Sequence, residues 1–327
     1  MIKRILIYSL LLILALPVIA QEGSFSHTSL RLPMASRVAA LGGENISVVD
    51  DAPWIGSVNP ALYSGVSDNS LGLNFMTYFD SGIWAGAEYT KAFGERHTGA
   101  VFAQMMNYGK MTETDQNGME LGDFSPKDIV VGVGYSYALT DRWAGGATLK
   151  GLYSRYADFS AFALAVDLGL NYYDEEKGIS VSAAMKNIGA PIKTFDDRPE
   201  RLPFDLQLGF TQKMKHAPVQ ISLTMTDITH WRNQDFYHIE GEKIKWYNMI
   251  LNHFVVGVDV LPTDYLYISA GYNLRRAYEL KAAGSSHWAG FTCGAGLSLK
   301  KFKLGASWAK YHRSSSSLMF NVGYSFN

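Results

Sequence analysis

The closing residues of the chain alternate between apolar side chains and small or polar ones. The apolar set is Leu318, Phe320, Val322, Tyr324 and Phe326, and the other set is Met319, Asn321, Gly323, Ser325 and Asn327. Successive side chains of a β-strand point to opposite sides, so the pattern predicts a strand with one wholly apolar face. An aromatic residue near the end of such a closing strand is typical of bacterial outer-membrane β-barrels.

The same alternation recurs along most of the chain. The predicted strands are 70–79, 82–91, 97–108, 128–139, 142–154, 159–173, 178–188, 202–213, 217–228, 252–261, 264–275, 289–300, 301–311 and 317–326. An even number is what a single-chain bacterial barrel requires. Several segments also reach the ~9–11 residues that a tilted strand needs to cross a bilayer.

The connections between these strands also follow a barrel pattern. Four long connections, 109–127, 189–201, 229–251 and 276–288, alternate with short turns from the fourth strand onward. Outer-membrane barrels place short turns in the periplasm and long loops outside. The prediction is therefore an all-β, 14-stranded antiparallel transmembrane β-barrel with both termini periplasmic and the long loops extracellular. Since alternation alone does not separate the two, a soluble sandwich or propeller is the alternative.

Composition narrows the function classes. With 29 Lys and Arg against 30 Asp and Glu, the chain lacks the basic excess of a nucleic-acid-binding protein. The 31 Gly and 19 Tyr suit a crowded barrel interior and interfacial aromatic belts. Cys293 is the only cysteine, which excludes an intrachain disulfide, and its apolar strand position indicates a small hydrophobic side chain.

The first 20 residues are typical of a secretory signal peptide. Lys3 and Arg4 precede an apolar run from Ile5 to Leu16, and cleavage is predicted before Gln21. A transmembrane anchor is the alternative, but the run is shorter than the ~20 residues of a membrane-spanning helix. Because no long apolar run follows residue 20, residence in a membrane requires a barrel.

Residues 21–69 do not alternate, and we predict that they form a small hatch, or plug, inside the barrel of residues 70–327. Ala35 to Leu41 has the composition of two helical turns, which Gly42-Gly43 would end. Asn59-Pro60 is typical of the start of a turn.

The hatch region resembles the N-terminal signature of FadL-like outer-membrane transport barrels. The resemblance lies in Ser36 to Gly43, Asp50-Asp51-Ala52 and Asn59-Pro60-Ala61, in this order and spacing. It implies a 14-stranded barrel with a plugged lumen. The structural motif residues it marks are Arg37, Ala39, Gly42, Gly43, Asp50, Asp51, Asn59 and Pro60.

Within that superfamily, the segment from Leu32 to Asn45 is most similar to the PorV/PorQ family of the type IX secretion system of Bacteroidetes, and the moderate length favours PorQ. The resemblance implies a non-enzymatic anchor without cofactors, which holds a PorZ-like protein at the cell surface. PorU and PorV belong to the wider attachment complex, which processes secreted cargo and joins it to lipopolysaccharide. The alternative is a FadL-like transporter of small hydrophobic compounds, although no large apolar loop insertion is present.

Three patterns point weakly to chemistry. Ser298 and Lys301 fit S-x-x-K, but the order relative to S-D-N is reversed and K-T-G is absent, which argues against a serine acyltransferase. Asp50-Asp51 is better explained by hydrogen bonds in a turn than by a metal. His230 and His238 lack the spacing of a zinc motif. We therefore predict no catalytic, cofactor or metal residues.

Two outer loops combine aromatic and charged residues. The candidate partner contacts are Trp231, Phe236, Tyr237, Trp246, Arg275 and Arg276, since interfaces enrich Trp, Tyr and Arg. For Trp231, Trp246 and Tyr247, membership of an outer aromatic girdle is an equal alternative. Arg275, Arg276 and Lys281 suit lipopolysaccharide phosphates, although a solvated loop is the favoured explanation.

Overall fold

The computed structural model describes residues 27–79, 81–115, 117–195, 201–238, 243–284, 288–312 and 315–326. In these ranges the strands are β1 (Ser70–Thr77), β2 (Ile83–Phe93), β3 (His97–Asn107), β4 (Met111–Thr114), β5 (Glu120–Phe124), β6 (Lys127–Ala138), β7 (Trp143–Tyr156), β8 (Phe159–Asp174), β9 (Ile179–Lys193), β10 (Asp205–Lys213), β11 (Val219–Met225), β12 (Phe254–Thr263), β13 (Leu266–Asn273), β14 (Phe291–Ser298), β15 (Phe302–Ala309) and β16 (Ser317–Ser325). The predicted signal peptide and residues 21–26 lie outside the described residues.

Fourteen of these strands close into one antiparallel barrel, and β4 pairs only with β5. The ring closes where the predicted first and last strands meet. Ser70 of β1 lies opposite Ser325 of β16, and Met76 lies opposite Met319. The predicted fold class and the pairing of the closing strand are therefore confirmed.

The barrel wall has an apolar outer face and a small or polar inner face. On β16, Leu318, Phe320 and Val322 are 44–47% exposed on the outside, whereas Met319 and Asn321 are buried. The β-hydrogen bonds of the fourteen described barrel strands run around a closed ring, so none of these strands has an unpaired edge. An apolar exterior on a closed ring is the arrangement that a lipid bilayer requires.

Aromatic rings cluster at both ends of the apolar exterior. At one end the ring centres of Trp143 and Tyr172 lie 5.1 Å apart, and those of Tyr324 and Phe326 lie 5.0 Å apart. At the other end the rings are those of Trp288, Phe291 and Trp308. Two such belts are typical of the membrane–water interfaces of a barrel.

The four long connections all lie at one end of the barrel, here called the long-loop end; the other is the short-turn end. Three elements at the long-loop end were not predicted. They are the β4–β5 hairpin, helix α2 (Trp246–Leu251) and helix α3 (Leu274–Ala282). Helix α1 (Ser36–Ala40) precedes the barrel strands in the chain.

Two predicted boundaries were wrong for local reasons. The strand predicted over 264–275 ends at Asn273, because the Asn273 side chain accepts the Arg276 N–H at 2.8 Å and caps α3. The loop predicted over 189–201 begins later, because β9 continues to Lys193 beside β8.

Candidate functional site

Residues 27–69 run through the lumen from one end of the barrel to the other. At the long-loop end, His27 Nδ1 lies 2.8 Å from Ser154 Oγ near the end of β7. At the short-turn end, the Phe326 N–H donates to the Asn69 carbonyl at 3.0 Å. The location of both termini in the periplasm stays a prediction, since residues 1–26 are not described.

The predicted helix and glycine stop are present in this hatch. α1 spans Ser36–Ala40, and all five of its residues are buried. Gly42 and Gly43 have φ values of +99° and +92°, which favour glycine, and the Gly43 N–H donates to the Val38 carbonyl at 2.9 Å. The sharp end of α1 lets the chain turn back within the narrow lumen.

Arg37 of α1 connects two parts of the hatch to the barrel wall. Its Nη1 lies 2.9 Å from Asp50 of the hatch, and its Nη2 lies 3.0 Å from Asp259 of β12. The guanidinium carbon also lies 4.7 Å from the centre of the Tyr267 ring. Arg37 is only 8% exposed, so little water reaches this site. Water is therefore a poor replacement for Arg37 as the partner of the two carboxylates.

Asp50 and Asp51 hold the turn that follows. Asp50 Oδ1 accepts the Ala52 N–H at 3.2 Å, and Asp51 accepts the Ser67 hydroxyl at 3.2 Å. Asp51 also pairs with Lys303 of β15. Within the described ranges, no group of three or more His, Cys, Asp or Glu side chains is arranged to hold a metal ion.

Asn59 organises the Asn-Pro-Ala turn. Its amide donates to the Ile46 carbonyl at 3.1 Å, and its side-chain oxygen accepts the Ala61 N–H at 3.1 Å. The residue is fully buried. Pro60 occupies the first position of the 3₁₀ turn Pro60–Gly65, where its missing N–H costs nothing.

Glycines of the wall face the hatch at close range. A side chain added to them would meet the hatch: Gly134 faces Tyr63, Gly146 faces Pro60, Gly169 faces Asn59, Gly209 faces Ile46, Gly271 faces Leu41, Gly294 faces Ala40, and Gly72 and Gly323 face Trp54. The small residues that separate the apolar positions of each strand therefore make room for the hatch.

This fit predicts a position-specific effect of one methyl group. Gly146→Ala is expected to lower the free energy of unfolding by about 1–3 kcal/mol, because the added Cβ overlaps the backbone of Pro60. Gly151→Ala on the outer face of β7 is the matched control, since its Cβ would meet only side chains at 3.8–4.0 Å. Denaturant unfolding of both refolded proteins checks this, and equal stabilities would contradict the close fit.

A second set of ion pairs, the loop latch, joins the hatch to the long-loop end. It consists of Arg31, Asp227 and Arg275. Arg31 Nη2 of the hatch lies 2.9 Å from Oδ1 of Asp227, a residue that follows β11. Arg275 of α3 pairs with the same carboxylate. Asp227 is 3% exposed. The latch therefore fixes two outer loops on the end of the hatch.

Charge neighbours lower the pKa values of the hatch and latch carboxylates. Burial by itself raises the pKa of Asp50 and of Asp227, but the combined effect of Arg37 and Lys303 lowers the pKa of Asp50, and that of Arg31, His230 and Arg275 lowers the pKa of Asp227. Both pKa values therefore lie below the ordinary 3.8. A lowered carboxyl pKa contributes stability that is complete above the unfolded pKa and is lost as the pH falls through the folded one.

We therefore expect stability to hold as the pH falls from 7 to about 4 and to decrease only below that. The denaturant midpoint of the folded barrel, measured from pH 7 to pH 3, checks this. Asp158→Asn, at an exposed loop residue, should keep the wild-type profile, whereas Asp227→Asn should change it. A midpoint that falls already between pH 7 and pH 5 would contradict the assignment.

The six candidate partner residues divide into two groups. Trp231, Tyr237 and Trp246 are 47%, 55% and 76% exposed. The other three are occupied inside the protein, so they do not offer an open surface. They are Phe236, which is 3% exposed with Arg275 4.7 Å from its ring; Arg275 itself; and Arg276, whose guanidinium lies 4.3 Å from the Tyr311 ring.

Among the described residues, a small cavity lies between hatch and wall. A lumen cavity bounded by Arg31, Glu44, Lys150, Asp167 and Lys186, among others, has a volume of about 30 Å³. That volume holds about two water molecules, whereas a cavity of about 150 Å³ is known to take benzene. The cavity is also lined by charged side chains, among them an ion pair in which Lys150 Nζ lies 2.7 Å from Asp167 Oδ1. In this state the lumen has no room there for an aromatic hydrocarbon.

Several outer-membrane barrels of known structure share this architecture. The toluene transporter TodX of Pseudomonas putida superposes with a TM-score of 0.55 at 13% identity, covering 89% of this chain and 97% of TodX. A FadL homologue of Pseudomonas aeruginosa gives 0.53 at 10% identity, covering 90% and 98%. The fold is FadL-like. The monoaromatic hydrocarbon channel CymD also matches at 0.53 and 11%, covering 93% of this chain and 99% of CymD.

No protein-family model and no curated protein matches the chain. The FadL-like likeness therefore concerns the fold, and the predicted FadL-like superfamily is supported at that level only. In the described part of the chain, no helix has the length and apolar character needed to cross a bilayer.

Proposed function

We propose that this chain is a non-enzymatic outer-membrane barrel that serves as a closed, rigid anchor for a protein partner at the cell surface. The observation that carries the proposal is the filled lumen. Arg37 and the loop latch brace the hatch at separate heights, and the cavity between hatch and wall at Arg31, Lys150 and Asp167 has a volume of only about 30 Å³. A wall and plug held in this way suit a fixed platform better than a passage.

The long-loop end supplies the surface for such a partner. The β4–β5 hairpin pairs with no other strand, and its Met119 and Leu121 are 64% and 65% exposed. Tyr237, which is 55% exposed, extends this apolar and aromatic character to the latched loop. Exposed aromatic and apolar side chains in loops are typical of interface anchors.

The identity of the partner rests on the resemblance of Leu32 to Asn45 to the PorV/PorQ family. On that basis the partner is a PorZ-like protein of the type IX attachment complex, with PorU and PorV in the wider assembly. The barrel then lies in the outer membrane with its long loops extracellular, in contact with lipid and lipopolysaccharide.

Pull-down of the tagged barrel from native outer membranes tests this proposal. The wild-type protein should retrieve a soluble surface protein, and a variant with Met119→Ser, Leu121→Ser and Tyr237→Ser should retrieve much less. Leu139→Ser, at a residue of the short-turn end that is 50% exposed, is the control and should behave as wild type. Recovery of the barrel alone, with normal cargo processing in a deletion strain, would overturn the proposal.

Transport of small hydrophobic compounds is the second candidate, and the comparisons favour it: TodX and CymD are described as a toluene transporter and a monoaromatic hydrocarbon channel. For this chain, transport requires the hatch to move, because the lumen cavity is too small and too polar for such a substrate. Uptake of labelled toluene into cells with and without the protein separates the two candidates. Uptake above the empty-vector level would favour the transporter.

A further inference from the structure

Exposed apolar side chains are concentrated on one face of α2. Trp246 is 76% exposed, and Tyr247, Ile250 and Leu251 are 43%, 41% and 44% exposed. Residues four apart in a helix lie on the same face, so these four side chains form one apolar strip. A short helix with such a strip needs a cover.

The other side of α2 rests on protein. Ile244 before the helix and Asn252 and His253 after it are buried. α2 contacts α3, and α3 lies over the lumen, because the Asn273 side chain at its start donates to the Gly42 carbonyl of the hatch at 3.1 Å. The apolar strip of α2 is therefore directed away from the lumen.

The lipid-facing wall is short below α2. On β8 the outward apolar column runs from Phe162 to Tyr172, which is ten residue steps, whereas on β12, the strand that follows α2, it runs from Phe254 to Val260, which is six. For strands tilted by about 45°, the difference corresponds to roughly 10 Å of membrane depth. An α-helix with its side chains is about 10–12 Å across.

The surroundings of α2 match a membrane interface. The chain leaves α2 into β12, whose Phe254 and Val256 begin an outward apolar column. Trp and Tyr favour the headgroup level of a bilayer. Lys245 Nζ lies 5.9 Å from the centre of the Tyr247 ring. The long aliphatic stem of a lysine beside such an aromatic residue allows its ammonium group to reach headgroup phosphates.

We propose that α2 is an interfacial membrane helix, whose apolar strip lies in the outer leaflet and completes the hydrophobic belt above the short strands. The occupant of the strip is lipid and not a protein partner. This goes beyond the proposed function, and it removes Trp246 from the surface that a partner would contact.

Spin-label accessibility of the full chain in phospholipid nanodiscs tests the proposal. In a Cys293→Ser background, the label is placed at Leu251→Cys, with Val322→Cys as a reference in the lipid belt and Met119→Cys as a reference in solvent. Their exposures are 44%, 47% and 64%, so the three substitutions disturb little packing. The label at Leu251→Cys should collide with oxygen as at Val322→Cys and be shielded from a water-soluble nickel chelate.

Collision with the nickel chelate as at Met119→Cys would overturn the proposal, and so would shielding from both reagents. Folding of each labelled protein is verified by heat-modifiable mobility. Because the nanodiscs contain no partner protein, the result does not depend on whether the anchor proposed above is correct.

A second measurement uses the native tryptophan. In lipids brominated near the headgroup, Trp246→Phe should lower the amount of tryptophan fluorescence that the bromine atoms quench, relative to wild type. Trp54→Phe, which removes a buried tryptophan of the hatch, should leave the quenched part unchanged. Equal effects of the two substitutions would contradict the interfacial position.

Discussion

Arg37→Met is expected to destabilise the barrel by about 3–5 kcal/mol and to make it leaky, because it removes the buried cation that pairs with both Asp50 and Asp259. A stability loss of this size is a large part of what a folded domain has. Denaturant unfolding of the refolded protein measures the loss. Ion conductance across planar bilayers measures the opening of the lumen, which should be near zero for the wild-type protein.

Two further variants make the Arg37 prediction specific. Arg96→Met replaces an exposed arginine in a turn and should change neither stability nor conductance. Adding Asp50→Asn and Asp259→Asn to Arg37→Met removes the unpaired charges and should recover part of the stability. If Arg37→Met behaves as Arg96→Met, the hatch is not held by this ion pair.

Deletion of Phe326 and Asn327 is the second change with a large expected effect, since most of the protein should then fail to assemble. Phe326 closes the ring through the Asn69 carbonyl, and its side chain lies against Tyr324 in the aromatic belt of the short-turn end.

The fraction of heat-modifiable, membrane-inserted protein measures this effect in cells. Phe93→Ala is the matched control, because Phe93 is also an aromatic residue at the short-turn end and is 56% exposed against 54% for Phe326. The control should assemble normally. Undiminished folded protein after the deletion would show that the final strand end is not needed for assembly.

The sequence predicted the parts of the structure that depend on local alternation. Strand existence, strand number and the pairing of 70–79 with 317–326 follow from a period of two residues and from loop parity. The hatch helix and its glycine stop also follow from local chemistry, because Gly42 and Gly43 have positive φ values.

The parts that were missed depend on contacts between distant residues. Nothing near Arg37 indicates that its partner is Asp259, which lies 222 residues away. Phe236 and Arg275 have the composition of an exposed interface, yet they stack on each other in the interior. An aromatic or cationic side chain in a loop suits both roles, and only the packing separates them.

Trp54 packs from the lumen against the two strands that close the ring. Gly72 of β1 and Gly323 of β16 both leave space for its indole, and Asn321 of β16 also binds the backbone of Ser36 and Met34. The hatch thus acts as a template for the seam. The hatch and the closing pair of strands therefore stabilise each other, so a change that displaces the hatch is expected to weaken the seam of the barrel.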